Sequence, residues 1–490
     1  MQPAENEVTA ETIHATLPSP APSLPLCVDL DGTLVKSDTL MDSLLVLVRN
    51  HPRQLLQLPS WLAGGKASFK QHVTSSVTLD VAHLPYNRKL LHFLQQEHEN
   101  GRPIFLATGA DLALARRIAD HLGVFDDVLA SDGQTNLTGS HKLAGLEARF
   151  GAFSYVGNAS VDMPLLARAT GAMVANPSYA LYKQLRAAGI LLDREFVERR
   201  HPIRAVLRAV RVHQWPKNVL VFLPLLLAHV IRSGAVLRTI LAFACFSACA
   251  SATYIVNDLL DLEADRRHPR KRRRVFAVGD LSVLSGVGLA AALAALAFLG
   301  AQWLPLEFLE WLTLYAVATL AYSLYLKRIA VVDVLVLSGL YTLRVLAGGA
   351  AAAVIISPWL GAFSVFFFLS LATVKRFSEL QNLREAGTIP RNGRGYVLAD
   401  IEQLRSFGTA SAYAAVIVFT LYISGGDVAQ LYHHPQRMWL ITPLMIWWLN
   451  RIWLFASRGH LNEDPLIFAL TDRMSLLMGA MMISVALLSI

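Results

Sequence analysis

Charge is scarce in this 490-residue chain: Asp, Glu, Lys and Arg make up 16% of it, against 54% hydrophobic residues. A chain of this size with so little charge is not expected to be wholly soluble. Cysteine is scarcer still, at three residues. That excludes a disulfide framework and points to a reduced, cytosol-facing protein. Cys27 falls in a strand-like apolar run, and Cys245 and Cys249 lie one helical turn apart in a longer one. The first 24 residues lack an apolar h-region, so no signal peptide is expected. Residues 1–23, rich in Pro, Ala, Thr and Glu, read as a disordered tail.

The shortage of charge is not uniform. Charges run throughout residues 1 to about 215, whereas nearly all long apolar runs lie beyond. One soluble and one membrane-embedded domain follow. The net charge of +8 would suggest a nucleic-acid partner in a soluble protein. Here the basic residues concentrate in loops beside apolar spans, so membrane topology accounts for them and no nucleic acid is expected.

The embedded half parses into candidate spans at 217–233, 236–256, 282–302, 308–326, 329–350, 354–374, 409–426, 437–457 and 472–490. Pro216 and Pro224 interrupt the first. Basic residues gather after the second span (Arg266 to Arg274), the fourth (Lys327, Arg328), the sixth (Lys375, Arg376, Arg384, Arg391, Arg394, Arg405) and the eighth (Arg458, Arg473). These loops are therefore assigned to the cytoplasm, together with the N-terminal domain, in a bacterial-type inner (plasma) membrane. The expected fold is multi-domain: an α/β Rossmann-like domain, then an all-α polytopic domain of about nine transmembrane helices. Residues 181–212 read as an amphipathic linker between them. The aromatic runs at Phe366 to Phe368 and Trp447-Trp448 are expected to face lipid.

In the soluble half, Leu24 to Asp29, Pro103 to Gly109 and Phe153 to Asn158 read as three strands ending at polar residues, where open parallel sheets place their sites. The segment between the first two, about 38–100, has the helical pattern of a cap. In the embedded half, Asn257 and Asp258 follow an apolar span, with Asp261 and Asp265 spaced so that the three carboxylates share one helix face. Acids so placed repel unless a cation sits between them. Mg²⁺ suits, since it binds one or two carboxylates and completes its shell with water and phosphates. The basic run Arg266 to Arg274, Lys271 and Arg272 included, would hold the rest of a polyphosphate. An alternative role for that run is topology and contact with anionic lipid. Arg344 lies within an apolar run, where a charge is functional by default. Asp333, at a span's edge, reads as interfacial, and Tyr254 as either packing or site.

Asp29-Leu30-Asp31-Gly32-Thr33, with Thr108, Lys142 and Gly157-Asn158…Asp162, resembles the motif set of the haloacid dehalogenase superfamily over about residues 24–180. The resemblance implies Asp29 as nucleophile, Asp31 as general acid/base, Thr108 as phosphate hydrogen-bonder and Lys142 as charge clamp. Mg²⁺ would sit among Asp29, Asp31, Asn158 and Asp162. Asn158 departs from the usual Asp, which lowers the expected metal affinity; a regulatory or docking role is the alternative to phosphatase activity.

The stretch 213–490 resembles the UbiA superfamily of intramembrane prenyltransferases, and within it the decaprenyl-phosphate phosphoribosyltransferases. The resemblance rests on Gln214-Trp215-Pro216-Lys217-Asn218, the aspartate motif with its basic tail, Tyr341 to Gly348, and Lys375-Arg376 with Glu379. It implies metal and diphosphate at Asn257, Asp258, Asp261 and Asp265. Phosphate contacts are implied at Lys217, Asn218, Lys271, Arg272, Arg344, Lys375, Arg376 and Tyr396, and a second-motif ligand at Glu379. One acid among several bases suits phosphoribosyl diphosphate as donor and a polyprenyl phosphate as acceptor, in the bilayer and with Mg²⁺. The alternatives are an aromatic prenyltransferase of quinone biosynthesis, and a scaffold or transporter. Oligomeric state is not legible.

Overall fold

The computed structural model describes residues 24–198, 202–229, 232–385, 387, 395–425, 432–461 and 464–490. The tail read over 1–23, the junction 199–201 and Arg391 and Arg394 lie outside the described residues. The chain divides into two compact units, Met1–Ser43 with Gln54–Arg199, and Leu44–Arg53 with Arg200–Ile490.

The first unit is built on a six-stranded parallel sheet in the order β3-β2-β1-β4-β5-β6. Its strands are β1 (Leu26–Val28), β2 (Ile104–Asp111), β3 (Asp127–Ser131), β4 (Ser154–Gly157), β5 (Gly171–Ala175) and β6 (Arg194–Phe196). The first, second and fourth are the three expected strands. β1 and β5 are buried at every position, as strands covered on both faces must be, so they read as short apolar runs rather than alternating patterns. Between β1 and β2 in the chain lie four helices, α1 (Thr39–Asn50), which from Leu44 on belongs to the second unit, α2 (Leu58–Ala63), α3 (Lys66–Ser76) and α4 (Arg88–Glu99), which gives the cap segment its helical character.

The linker reading of 181–212 is corrected. Its first part belongs to the sheet domain: Leu181 and Leu185 are buried in that core, and β6 pairs with β5 from Met173–Arg194 to Ala175–Phe196. A charged strand at a sheet edge, with Arg194 and Glu195 exposed, has the composition of a solvated helix face. Among the described residues of the remainder, Pro202–Val210 is an α-helix and a 3-10 helix begins at Val212.

The second unit is helical. A 3-10 helix, Val212–Phe222, leads into Leu223–Leu227. Ser233–Leu260, Leu262–Arg267 and Val275–Val278 carry the aspartate motif and its basic tail, followed by Val283–Ala301. Leu306–Leu324, Val332–Ala352, Pro358–Glu385, Ile401–Ile423, Ile441–Ser457, Pro465–Thr471 and Arg473–Ser489 complete the unit.

Among the described residues five helices are long and apolar enough to cross a bilayer, or six if the last two, bent by 79°, form one broken span. Nine spans are therefore not confirmed. The first candidate is two short helices, since Pro216 and Pro224 remove backbone donors. Leu306–Leu324 carries Glu307 and Glu310, and Ile441–Ser457 is only 17 residues long.

Small residues make the helix packing close, as in membrane bundles. Ala242, Cys245, Ala248 and Cys249 of Ser233–Leu260 are buried together. A Cβ on Gly348 would stand 2.1 Å from the Val221 carbonyl oxygen, so this helix and the 3-10 segment approach at a distance only glycine permits. Leu284, Val287, Leu296 and Leu299 of Val283–Ala301 face outward, the side a bilayer covers. The aromatic runs are split, which corrects their lipid-facing reading. Trp448 and Phe368 are buried, with Phe367 stacked on Trp448 at 5.8 Å, while Trp447 stays exposed.

Candidate active sites

In the first unit the predicted residues meet at the carboxyl end of the sheet. Asp29 follows β1 directly. Its Oδ1 accepts from Lys142 Nζ at 2.7 Å and its Oδ2 from Thr33 Oγ1 at 3.2 Å. Lys142 also bonds the Tyr155 hydroxyl at 3.1 Å and lies 3.9 Å from Asp162. Burial opposes the Lys142 charge, but Asp29 and Asp162 outweigh it and raise its pKa. Asp162 orients the loop after β4: its Oδ2 accepts from the backbone N–H groups of Asn158 and Ala159, and its Oδ1 from Tyr155. Thr108 is buried in β2, its hydroxyl accepting from Ala110 N–H at 3.0 Å.

Asp31 Oδ1 accepts from Thr39 N–H at 2.7 Å. Burial first, and then the charge of Asp38, push its pKa up to about 7. Gly32, directly after the second aspartate, has φ 76°, and a Cβ there would stand 2.0 Å from Asn158 Nδ2, so glycine lets the Asn158 amide close over the turn. Asp31 and Asp38 line a small cavity of about 80 Å³ with Lys70 of the cap. Lys70 donates to Gly109 O and Asn136 Oδ1. Sequence reading missed it because a single lysine on a helical segment carries no pattern.

In the second unit a cavity of about 570 Å³ gathers residues from Val212–Phe222, Ser233–Leu260, Leu306–Leu324, Val332–Ala352, Pro358–Glu385 and Pro465–Thr471. The aspartates do not share one face as expected. The long helix stops at Leu260 and a new one begins at Leu262, with Asp261 at the junction. Asp258 and Asp265 converge on Arg274, with Oδ1 and Oδ2 at 3.0 and 2.6 Å from the same Nη1, and Arg211 also bonds Asp258. Asp261 turns instead to Lys327, whose Nζ lies 3.0 and 2.9 Å from its two oxygens and 3.2 Å from Asn257 Oδ1. Burial opposes ionisation of Asp261, but Lys327 outweighs it and the carboxyl titrates below its usual range.

At the other side of the cavity Lys217 and Lys375 hold Asp464 Oδ2 at 2.9 and 2.8 Å, and Tyr341 donates to its Oδ1 at 3.3 Å. Burial alone would raise the Asp464 pKa, but Lys375 and Lys217 hold it well below the carboxylate range. Arg344 is fixed by Asn218 Oδ1 at 2.8 Å and the Tyr315 hydroxyl at 3.0 Å. Asn218 donates to Ser247, and Trp215 to Ser251, both on Ser233–Leu260. The Gln-Trp-Pro-Lys-Asn run thus pins its 3-10 helix and presents Lys217. Arg211 lies over the Tyr254 ring at 5.4 Å, and both line the cavity.

Other predicted residues stand apart from the open space. Arg376 lines the cavity, but its guanidinium is engaged by Asp333, by Tyr322 and, at 2.8 Å, by both Glu379 oxygens. Glu379 is thereby tied to Arg376. Asp333 is not interfacial, since it is fully buried in this pair. The Tyr396 hydroxyl accepts from Val331 N–H at 2.9 Å, steadying a residue with φ 69°. Lys271 lines the cavity, while Arg272 is exposed. Lys327 and Arg211 were legible only as topology and linker charges, and Asp464 gave no sequence signal.

No group of three or more His, Cys, Asp or Glu able to hold a metal by themselves occurs among the described residues. The donor chemistry still fits Mg²⁺. The Asn257–Asp261 oxygens and the Asp258–Asp265 oxygens each surround one cationic nitrogen, and Mg²⁺ takes one or two carboxylates with phosphate and water. In the first unit, Asp29 and the Asn158 amide offer a weaker set.

Residues 219–474, just over half of the chain, match the UbiA prenyltransferase family, and residues 26–167 match the haloacid dehalogenase-like hydrolases. The chain is 38% identical over 465 residues to the uncharacterized protein y4nM of Sinorhizobium fredii, covering 94% of this chain and 90% of that one. It is 33% identical over 235 residues to the decaprenyl-phosphate phosphoribosyltransferase of Mycolicibacterium smegmatis, covering 46% of this chain and 72% of that protein. A UbiA homolog from Archaeoglobus fulgidus, solved with DMAPP and Mg²⁺, is similar at 17% identity and a TM-score of 0.46, over 58% of this chain and 98% of its own. With the family match spanning the helices that build the cavity, the chain belongs to the UbiA prenyltransferase family and carries a haloacid dehalogenase-like domain ahead of that region.

Proposed function

We propose that the second unit transfers 5-phosphoribose from phosphoribosyl diphosphate to a polyprenyl phosphate. The observation that carries this reading is the charge of the cavity: eight Lys and Arg side chains line it against two carboxylates. A prenyl diphosphate with an aromatic acid brings a diphosphate and one carboxylate, whereas this donor and acceptor bring a diphosphate and two phosphate monoesters.

In the reaction the bond from ribose C1 to the diphosphate oxygen breaks and a bond to an acceptor phosphate oxygen forms, with diphosphate leaving. Asp258, Asp261, Asp265 and Asn257 would hold Mg²⁺, which neutralises the leaving diphosphate when bound. Arg211, Lys271, Arg274 and Lys327 stabilise the same developing charge. Lys217, Arg344 and Lys375 orient the remaining phosphates. The acceptor phosphate is already anionic at neutral pH and needs no general base. The loops that follow the aspartate motif are assigned to the cytoplasmic side by their positive charge, and the first unit is assigned to the same side.

Membranes containing the protein, supplied with Mg²⁺, polyprenyl phosphate and radiolabelled phosphoribosyl diphosphate, should yield label in the lipid extract. No labelled lipid, with a prenyl diphosphate and an aromatic acid reacting instead, would assign the protein to quinone biosynthesis.

The first unit would then remove the 5-phosphate. Asp29 attacks phosphorus as the bond to the sugar oxygen breaks and Asp31 protonates that oxygen; Asp31 next takes a proton from the water that hydrolyses the aspartyl-phosphate. Because Asp31 must enter protonated and titrates near 7, kcat/KM for phosphate release should fall as pH rises through about 7. Asp38→Asn, which removes a charge that raises this pKa, should move that limb to lower pH. An unmoved limb would mean another group limits the rate. The fold also favours protonated Asp31, so the stability this contributes is present below about pH 3.8 and is lost as pH rises from there to about 7.

Asn158→Asp supplies an anionic ligand and should lower the Mg²⁺ concentration for half-maximal phosphate release about tenfold. An unchanged requirement would show that position 158 does not reach the metal.

A further inference from the structure

The Asp464 carboxylate occupies a position that an anionic ligand would be expected to take. It sits between two lysine ammonium groups, Lys217 and Lys375, at 2.9 and 2.8 Å, on the wall of a cavity that admits substrate. Neither lysine owes its place to Asp464 alone: Lys217 is buried in the pinned 3-10 helix, and Lys375 extends from Pro358–Glu385. An apolar crevice of about 10 Å³ lies beside Lys375 and Asp464, lined by Leu337, Phe368 and Leu371. Two ammonium groups select an anionic head, and its attachment would begin against these apolar side chains.

We propose that Lys217 and Lys375 seat a lipid phosphate monoester, and that Asp464 is the resident counter-ion this headgroup must displace. The proposal rests on the transfer reaction above and names the place of its acceptor. A built-in carboxylate has the advantage of high effective concentration. A monoanionic phosphodiester headgroup brings no more charge than Asp464 already supplies and gains nothing by exchange. A phosphate monoester carries up to two charges and presents one to each lysine. Asp464 thus makes the seat selective for phosphate monoesters in a membrane rich in anionic diacyl lipids.

Asp464→Asn is the decisive variant. Asp464 Oδ1 also accepts from Leu466 N–H at 3.2 Å, capping the next helix, and asparagine caps equally well without the charge. Asp464→Ser provides a second uncharged cap. Both variants should lower the KM for polyprenyl phosphate about tenfold and leave the KM for phosphoribosyl diphosphate unchanged. Both should also become sensitive to inhibition by phosphatidylglycerol in mixed micelles, to which the parent protein is indifferent. A lower KM for the donor instead would place its 5-phosphate between the lysines and overturn the acceptor assignment. An unchanged or raised KM for both substrates would show Asp464 to be structural.

Thermal stabilisation of the detergent-solubilised protein by inorganic phosphate tests the seat without the reaction. The Asn variant should be stabilised more than the parent, and Lys217→Met should lose the effect. Equal stabilisation of parent and Asn variant overturns the proposal even if transfer is observed. Absence of transfer in the parent protein overturns the functional reading while this binding result still decides the seat.

Discussion

Asp261→Ala is expected to lower phosphoribosyl transfer by about two to three orders of magnitude, the scale of losing a group that stabilises leaving-group charge. The loss should fall on kcat. Asp261 is held by Lys327 through both its oxygens, so its removal frees the lysine of its anionic partner and leaves it with the neutral Asn257 oxygen on the cavity wall. A freed lysine binds diphosphate well in the ground state, which keeps the KM for the donor near its original value. Asp261→Asn should behave similarly, because the side chain keeps its shape and loses the charge that a metal-diphosphate site requires. Single-turnover rates with saturating donor separate chemistry from binding. Turnover within a few-fold of the parent would remove the aspartate motif from the chemistry and return the scaffold or transporter reading.

Asp333→Ala is expected to destabilise the second unit by about 3 kcal/mol, the scale of breaking a buried ion pair from one side. Asp333 is fully buried and Arg376 is 2% exposed. Asp333 also accepts from the Tyr322 hydroxyl at 2.7 Å. Without it the guanidinium keeps, among the described residues, the part-exposed Glu379 and Tyr322 as side-chain partners. Replacing both partners with apolar residues, Asp333→Leu with Arg376→Met, should restore much of the loss, since no buried charge is then left alone. Unfolding midpoints in detergent for the two single variants and the pair give the coupling. If Arg376→Met alone lowers transfer with no change in stability, the guanidinium serves substrate rather than the fold.

The aspartate motif, the basic run after it and the Asp-x-Asp-Gly-Thr turn were legible because their chemistry lies in spacing along the chain. Local periodicity predicts Asp258 and Asp265 on one side, and although they lie on two successive helices both converge on Arg274. The same rule misplaced Asp261, because a helix break at that residue is set by packing and turns it to Lys327. Strands β1, β2 and β4 showed as apolar runs ending in reactive residues, whereas β6, charged and at the edge, had the composition of a helix surface.

Apolarity alone marked the long spans and charge in the loops suggested their orientation, since a bilayer selects on composition. What composition could not supply were pairings across the fold. Asp464 meets Lys217 over 247 residues and Lys375 over 89, and Asp333 meets Arg376 over 43. Each residue alone reads as an ordinary loop or interfacial charge. Sequence therefore determined which chemistry is available, because residue type and helical spacing are local. Tertiary structure decided which charges are consumed by the fold and which face the cavity, because a buried charge is stable only beside the partner that packing brings to it.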